Sequence, residues 1–74
     1  MDVDILVDAR GESCPMPLLR AKMALNKMES GQCLQVLATD AGSVRDFESF
    51  IKLTEHTLSS KVDGEEFIYY IVKS

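Results

Sequence analysis

The spacing of apolar and polar residues along the chain predicts four strands and two helices. Apolar residues alternate with a period of two, as in strands, at residues 3–8, 33–39, 57–62 and 66–73. They recur every three or four positions, as on one face of a helix, at residues 17–29 and in a segment that begins near Ser43. Residues 67–72 are apolar on both faces. This last strand is therefore predicted to be central, or to lie in a sheet whose outer face is partly covered.

The predicted order β-α-β-α-β-β indicates an α+β fold. Two helices can cover one face of a four-stranded sheet, which gives a two-layer α/β sandwich. The β-α-β units predict that part of the sheet is parallel, whereas Asp63-Gly64 predicts an antiparallel hairpin at the end. The sheet is therefore expected to be mixed, and residues 1–74 are expected to form one domain.

Local signals at the helix ends refine these boundaries. Gly11 permits a turn after the first strand, and Pro17 suits the first turn of a helix because its missing N–H is not needed there. Ser30-Gly31 is typical of a helix end. Ser43 followed by Asp46 resembles a capping box, in which the serine side chain would begin the second helix.

Composition narrows the class of protein. The hydrophobic fraction of 46% is that of a folded globular chain. Two cysteines without an apparent secretory leader favour the cytoplasm over a disulfide-rich extracellular setting. The apolar runs are far shorter than the ~20 residues that span a bilayer, so no membrane association is expected.

Charge is unevenly distributed along the chain. Residues 9–28 carry a net charge of +3, and the rest of the chain carries −7, for a total of −4. An acidic protein is a poor candidate for direct nucleic-acid binding. The positive segment would support a thiolate or contact an acidic partner. Alternatively, it is simply the solvated basic face of the first helix.

Cys14 lies at the centre of this positive segment, between the turn at Gly11 and the predicted helix. Pro15 and Pro17 stiffen the backbone on either side of Met16 and bias the preceding residues toward extended geometry. Cysteines near a helix N-terminus can have a pKa well below the usual value of about 8.5. A reactive Cys14 and a buried, structural Cys14 are equally consistent with this spacing, because cysteine often behaves as a small hydrophobe.

The remaining residues give few chemical signals. Cys33 is predicted to be structural, since it forms no Cys-x-x-Cys pair with Cys14. His56 could act as a base for Cys14, but a surface position at the end of the second helix explains it as well. No zinc-type spacing or glycine-rich phosphate loop is present in the sequence, so neither metal nor cofactor is expected.

The segment VDARG at residues 7–11, followed by SCPMP at residues 13–17, resembles the signature of the TusA/SirA-like sulfur carriers. The Cys-Pro-x-Pro element is specific, and weaker similarities continue through Gly31, Asp40, residues 45–46, residues 55–58 and residues 63–64. The resemblance covers essentially the whole chain. It implies the same β-α-β-α-β-β sandwich that periodicity predicts.

The resemblance also implies a function. Cys14 would receive sulfane sulfur as a persulfide from a cysteine desulfurase or another donor, and would pass it to a downstream acceptor protein. The acceptor pathway could be tRNA thiolation, cofactor assembly or sulfur metabolism. The residues expected to support the site or contact a partner are Arg10, Gly11, Pro15, Pro17, Arg20, Lys22, Asp40 and Asp46.

Three departures from the family pattern stand out. Ala41 stands where the tRNA-relay branch of the family often has a proline after the aspartate. Glu12 places a negative charge two residues from Cys14, which opposes thiolate formation unless its side chain points away. Glu48 and Ser49 stand where a Pro-Gly break is common, so the second helix is expected to be continuous.

Two alternatives to a sulfurtransferase remain open at this stage. The chain could be a regulatory or interaction module in which Cys-Pro-x-Pro only starts a helix. Delivery of a metal or selenium through Cys14 is a third reading, although one soft ligand is few for a metal.

Overall fold

A computed structural model describes residues 3–74, and the predicted domain also includes residues 1 and 2, which lie outside that range. Along the chain, strands β1 (Ile5–Ala9) and β2 (Cys33–Ala38) flank helix α1 (Met16–Asn26). Helix α2 (Gly42–Lys52) follows, and β3 (Thr57–Asp63) and β4 (Glu66–Val72) form the final hairpin. The predicted element order is therefore confirmed.

The four strands form one mixed sheet in the order β1-β2-β4-β3. β1 and β2 are parallel, as a β-α-β unit requires, and β4 is antiparallel to both β2 and β3. β4 is thus an interior strand, as its apolar residues on both faces predict. The predicted α+β fold, with its mixed four-stranded sheet, is confirmed.

The core lies between the sheet and the two helices. α1 contributes Ala21 and Leu25, and α2 contributes Phe47, whose ring stacks on Tyr69 of β4 with centroids 4.3 Å apart. The sheet residues that face them are small or branched, and they are buried: Val7, Ala9, Leu34, Val36, Ala38 and Ile71. Ala9 and Ala38 are fully buried in this core.

α1 ends three residues earlier than the periodicity predicts. The Lys73 side chain, just after β4, donates hydrogen bonds to the carbonyl oxygens of Leu25 and Met28, at 2.7 and 2.6 Å. An ammonium group near a helix C-terminus satisfies unpaired carbonyl groups and favours the helix dipole. The amide of Met28 donates to the Leu25 carbonyl in a tighter final turn, so the chain leaves the helix there.

α2 is continuous, as the sequence predicts, but its first turn differs from the predicted capping box. Ser43 lies inside the helix and is buried, and its hydroxyl is 2.7 Å from the hydroxyl of Tyr69. Asp46 points elsewhere. The amide of Gly42, the first helical residue, instead donates to Oδ1 of Asp40 at 2.9 Å.

Candidate functional site

The loop between β1 and α1 holds Cys14 at the edge of the sheet. Gly11 has φ of +81°, a conformation that L side chains rarely adopt, and its amide donates to the Thr39 hydroxyl just beyond β2. This hydrogen bond ties the loop to the end of the neighbouring strand. Pro15 occupies the N-cap position of α1, the Cys14–Pro15 peptide bond is cis, and Pro17 is buried in the first helical turn.

Two carboxylates hold Cys14 from the side of α2. The Cys14 amide donates to Oδ2 of Asp40 at 2.5 Å. The Cys14 thiol donates to Oδ2 of Asp46, with Sγ and Oδ2 also 2.5 Å apart. Asp40 therefore binds the amides of both Cys14 and Gly42, and it links the loop before α1 to the start of α2.

These contacts make the surroundings of the sulfur acidic. The hydrogen bond from the thiol to Asp46, followed by desolvation and by the charges of Asp46 and Asp40, raises the pKa of Cys14 above its ordinary value. The amides of Cys14 and Gly42 lower the pKa of Asp40, so that carboxyl group stays ionised. The expectation of an electropositive thiolate site at Cys14 is therefore wrong for the isolated chain.

The helix N-terminus offers little compensation to a thiolate. Pro15 and Pro17 have no N–H, and the Met16 amide donates to the carbonyl oxygen of Ser13. Helix N-termini bind anions through unpaired amides. The two prolines that stiffen the loop thus also remove two of the amide donors on which the predicted thiolate stabilisation depends.

Arginines of the positive segment are engaged in ion pairs away from the sulfur. Arg10 makes a bidentate contact with Asp8, at 2.9 and 2.8 Å, and lies 3.7 Å from Glu66. Arg20 pairs with Glu12 and also donates to the carbonyl oxygen of Asp8 at 2.9 Å. The Glu12 side chain therefore points toward Arg20, which answers the question that its position near the cysteine raises.

Cys14 is exposed at one side of an open concavity of about 650 Å³. The other lining residues belong to the start of α2 or precede it: Ala41, Gly42, Val44, Arg45, Asp46 and Glu48. A Cβ atom added at Gly42 would lie 3.6 Å from Cβ of Cys14, so the absence of a side chain there leaves room beside the cysteine. A reacting group can thus reach the sulfur from the α2 side.

The other thiol and the imidazole lie elsewhere. Cys33 begins β2 and is only 3% exposed, which agrees with its predicted structural role. The amide of Ser74 donates to Nδ1 of His56 at 3.1 Å, and the imidazole lines a separate concavity with Lys22 and Phe50. The structure therefore brings Asp46, and not His56, to the Cys14 thiol.

Lys22 and the apolar side chains of α1 occupy the helix surface next to the cysteine loop. The Lys22 ammonium group lies 5.2 Å from the centre of the Phe50 ring, which is the range of a cation–π contact. Met16, Leu19 and Met23 are exposed, and their spacing of three and four residues places them on one face of α1. Sequence analysis did not predict this exposed stripe as a unit.

The fold and the cysteine loop together define a small α/β sandwich with an exposed cysteine at the start of its first helix. Residues 5–73 match the family described as Sulfurtransferase TusA, and the chain belongs to this family. The family resemblance that the Cys-Pro-x-Pro segment indicates is therefore confirmed.

Similar proteins agree with this assignment. The chain is 53% identical to the sulfur carrier protein TusA of Allochromatium vinosum, over 99% of this chain and 97% of that protein. It is 38% identical to the putative sulfur carrier protein YrkI of Bacillus subtilis, with the same coverage of both chains. The crystal structure of a SirA-like protein from Desulfitobacterium hafniense superimposes with a TM-score of 0.82, at 28% identity over 92% of this chain and 95% of that one.

The described part of the chain contains neither a membrane-spanning helix nor a cluster of metal ligands. Across residues 3–74, no helix is long and apolar enough to span a membrane. The same residues contain no group of three or more histidine, cysteine, aspartate or glutamate side chains arranged to hold a metal ion.

Proposed function

We propose that this protein is a sulfurtransferase that carries sulfane sulfur as a persulfide on Cys14. The observation that carries the proposal is the contrast between its two thiols. Cys14 is exposed beside an open concavity on a stiff loop, whereas Cys33 is buried in the sheet. Thiol exchange requires access to the attacking sulfur. Membership of the TusA family supports the same role.

The transfer would proceed by nucleophilic attack. Sγ of Cys14 attacks the outer sulfur of a donor persulfide, the bond between the two donor sulfurs breaks, and the donor leaves as a thiol. A thiol of the acceptor then attacks the outer sulfur on Cys14 and regenerates the cysteine. The transferred sulfur keeps its oxidation state, so the transfer needs no oxidant or reductant.

The partners we propose are a cysteine desulfurase or another persulfide donor, and a downstream acceptor protein. Met16, Leu19 and Met23 give α1 an exposed apolar stripe that begins two residues after Cys14. Flexible methionine-rich surfaces can repack against more than one partner. Two basic residues of α1 are further candidate contacts: Lys22, which lies over the Phe50 ring, and Arg20, which forms an ion pair with Glu12.

We also propose, in general terms, the pathways that the carrier serves and its location in the cell. tRNA thiolation, cofactor assembly and sulfur metabolism are the three processes that such a carrier could serve, and the cytoplasm is the proposed compartment. The arrangement at Cys14 is compatible with each process, because transfer from one thiol to another is common to them.

A non-catalytic interaction module is the second candidate. The observation that favours it is the hydrogen bond from the Cys14 thiol to Asp46, which raises the pKa of Cys14 and so lowers the fraction of thiolate at neutral pH. The two candidates differ in the reaction of the folded protein with an alkylating agent. A carrier alkylates at Cys14 much faster than at Cys33, whereas a structural cysteine reacts only when the protein unfolds.

Sulfur loading tests the proposal directly. The wild type and Cys14→Ser are incubated with a cysteine desulfurase and cysteine, and intact masses are compared. A gain of one sulfur atom on the wild type alone is expected. Cys33→Ser is the matched control and keeps the gain. Loading of Cys14→Ser would contradict the proposal.

A further inference from the structure

The hydrogen bond between Cys14 and Asp46 connects the reacting atom of the proposed transfer to an acid from another element. Asp46 lies on the first turns of α2, 32 residues beyond Cys14, and its Oδ2 is 2.5 Å from Sγ. The predicted capping box of Ser43 and Asp46 does not form, because the Ser43 hydroxyl is hydrogen-bonded to Tyr69. Within residues 3–74, the Asp46 carboxylate makes one side-chain hydrogen bond, and its partner is the Cys14 thiol.

The site needs a proton acceptor. Thiol exchange proceeds through the thiolate, yet the surroundings of Cys14 favour the neutral thiol at neutral pH. The Cys14 proton must therefore leave during the attack, or leave before it at a cost in free energy. A general base must lie within hydrogen-bonding reach of the proton that it abstracts, and Asp46 meets this geometric condition.

We propose that Asp46 accepts the Cys14 proton during sulfur transfer and returns it to the departing thiolate. This assignment rests on the proposed persulfide function and adds a second catalytic residue to it. In the loading step, the proton moves from Sγ to Oδ2 as Sγ bonds to the outer sulfur of the donor. The bond between the donor sulfurs breaks, and its electron pair stays on the inner sulfur.

The cycle closes without another reagent. The Asp46 carboxyl group gives its proton to the donor thiolate, so the donor leaves as a thiol and Asp46 is again a carboxylate. When an acceptor thiol takes the outer sulfur, Cys14 is the leaving group. Asp46 accepts the proton of the attacking acceptor thiol and passes it to the departing Cys14 thiolate. The carboxylate thus serves both halves of the transfer, since the same sulfur is first nucleophile and then leaving group.

Other charged groups around the pair do not replace Asp46. Asp40, from the loop before α2, is occupied by the amides of Cys14 and Gly42. Arg45 and Glu48 of α2 line the same concavity. On the Cys14 loop itself, Glu12 pairs with Arg20. Of these groups, Asp46 alone is hydrogen-bonded to the sulfur in the described structure.

The test compares the pH dependence of sulfur loading in the wild type and Asp46→Asn. Glutathione persulfide is the probe, because a small donor removes any effect on protein docking. The rate of loading is measured by intact mass between about pH 6 and pH 8. Ionisation of the donor affects both proteins equally, so the ratio of the two rates reports on the protein.

We expect the wild type to load at least about tenfold faster than Asp46→Asn near pH 6, in line with the usual contribution of a positioned base. The ratio should fall as pH rises, because the variant depends on its thiolate fraction and the wild type does not. Asp46→Glu should restore part of the rate at low pH. Glu29→Gln is the control for loss of one negative charge, and it should leave the profile unchanged.

A purely structural or electrostatic role for Asp46 predicts the opposite. Removal of the carboxylate would then lower the thiol pKa and speed loading by a factor independent of pH. A ratio that is constant with pH, or a variant that loads as fast as the wild type near pH 6, overturns the inference while the carrier function stands. Failure of the wild type to load removes both.

Folding of the variant is checked separately. Circular dichroism and thermal unfolding establish that Asp46→Asn keeps the fold, and the ultraviolet absorbance of the thiolate gives its thiol pKa. Asp46→Ser, which also lacks a carboxylate, provides a second measurement of the same ratio. Agreement between these two variants supports loss of the base, and a difference in the pH dependence of their ratios overturns it.

Discussion

The hydroxyl groups of Ser43 and Tyr69 lie 2.7 Å apart and join the first turn of α2 to the centre of β4. Both side chains are about 1% exposed. Asp46 lies one turn further along α2, so this buried contact helps to set the position of the carboxylate that meets Cys14. A link inside the core thus bears on the geometry of the surface site.

Ser43→Ala should destabilise the fold, because it leaves the buried Tyr69 hydroxyl without this partner. An unsatisfied buried polar group costs about 1–3 kcal/mol. Urea unfolding should show a loss of that size. Ser49→Ala, an exposed position on the same helix, is the matched control and should change stability by less than about 0.5 kcal/mol.

The double substitution Ser43→Ala with Tyr69→Phe refines this prediction. Removal of both hydroxyls should recover part of the stability that Ser43→Ala loses, since no unpaired group remains. An additive double variant would contradict a direct hydrogen bond, because additivity is expected of independent sites.

Lys73→Met should shorten or loosen the end of α1. The Lys73 ammonium group donates to the carbonyl oxygens of Leu25 and Met28, and hydrogen bonds from charged groups are worth about 1.5–3 kcal/mol each at most. We expect a net loss of about 1–3 kcal/mol in urea unfolding. Lys61→Met, on the exposed strand β3, is the control. Equal losses for the two variants would show that charge, and not the contact, matters.

Lowering the pH should reduce the contribution of Asp8 to the stability of the fold. Hydrogen bonds from the side chain and amide of Arg10 lower the pKa of Asp8 from an ordinary value near 3.8 to about 2. A carboxyl group whose folded pKa is lowered contributes stability above its unfolded pKa, and this contribution is lost as pH falls through the folded pKa. The window is therefore from about pH 4 to pH 2.

Asp8→Asn measures this effect. The difference in unfolding free energy between the wild type and the variant should be constant above about pH 5 and should shrink between pH 4 and pH 2. Because the ion pair is exposed, the difference should also decrease at high salt. A difference that does not change with pH would show that the ion pair with Arg10 does not stabilise the fold.

Met23→Glu should impair loading by a protein donor. Met23 is 63% exposed on the apolar stripe of α1, and a charge there opposes burial against a partner. We expect loading from a cysteine desulfurase to fall by about tenfold, as for loss of a moderate contact in a protein interface. Loading from glutathione persulfide should be unchanged.

Leu53→Glu is the matched control for that experiment. Leu53 is 87% exposed just after α2, away from the stripe. It should leave both loading reactions unchanged. A similar decrease in Leu53→Glu would indicate a general effect of added acid and would contradict docking through α1.

The element order and the central position of β4 could be predicted because they depend on local periodicity. The continuous apolar run at residues 67–72 indicates an interior strand without knowledge of its neighbours. Helix ends were less predictable. The end of α1 is held by Lys73, which is remote in sequence. The Ser43 hydroxyl, which the sequence predicts to begin α2, bonds instead to Tyr69 of β4.

The position of Cys14 at a helix start was predictable, but its electrostatic surroundings were not. Linear charge along residues 9–28 suggested a positive site, whereas Arg10 and Arg20 are paired with Asp8 and Glu12. The acids beside the sulfur come from residues 40 and 46. Charge density along a sequence does not report which side chains meet in space.

Cys33 and the Cys14 loop lie at opposite ends of β2, and their separation limits the capacity of the proposed carrier. Cys33 begins this strand, while Asp40, which binds the Cys14 amide, follows its end. Six residues of strand span about 20 Å, and a disulfide requires Cα atoms within about 7 Å. Cys33 therefore cannot discharge sulfur held on Cys14. Each molecule would therefore hold one sulfur atom at a time and would have to meet a donor again before a second delivery.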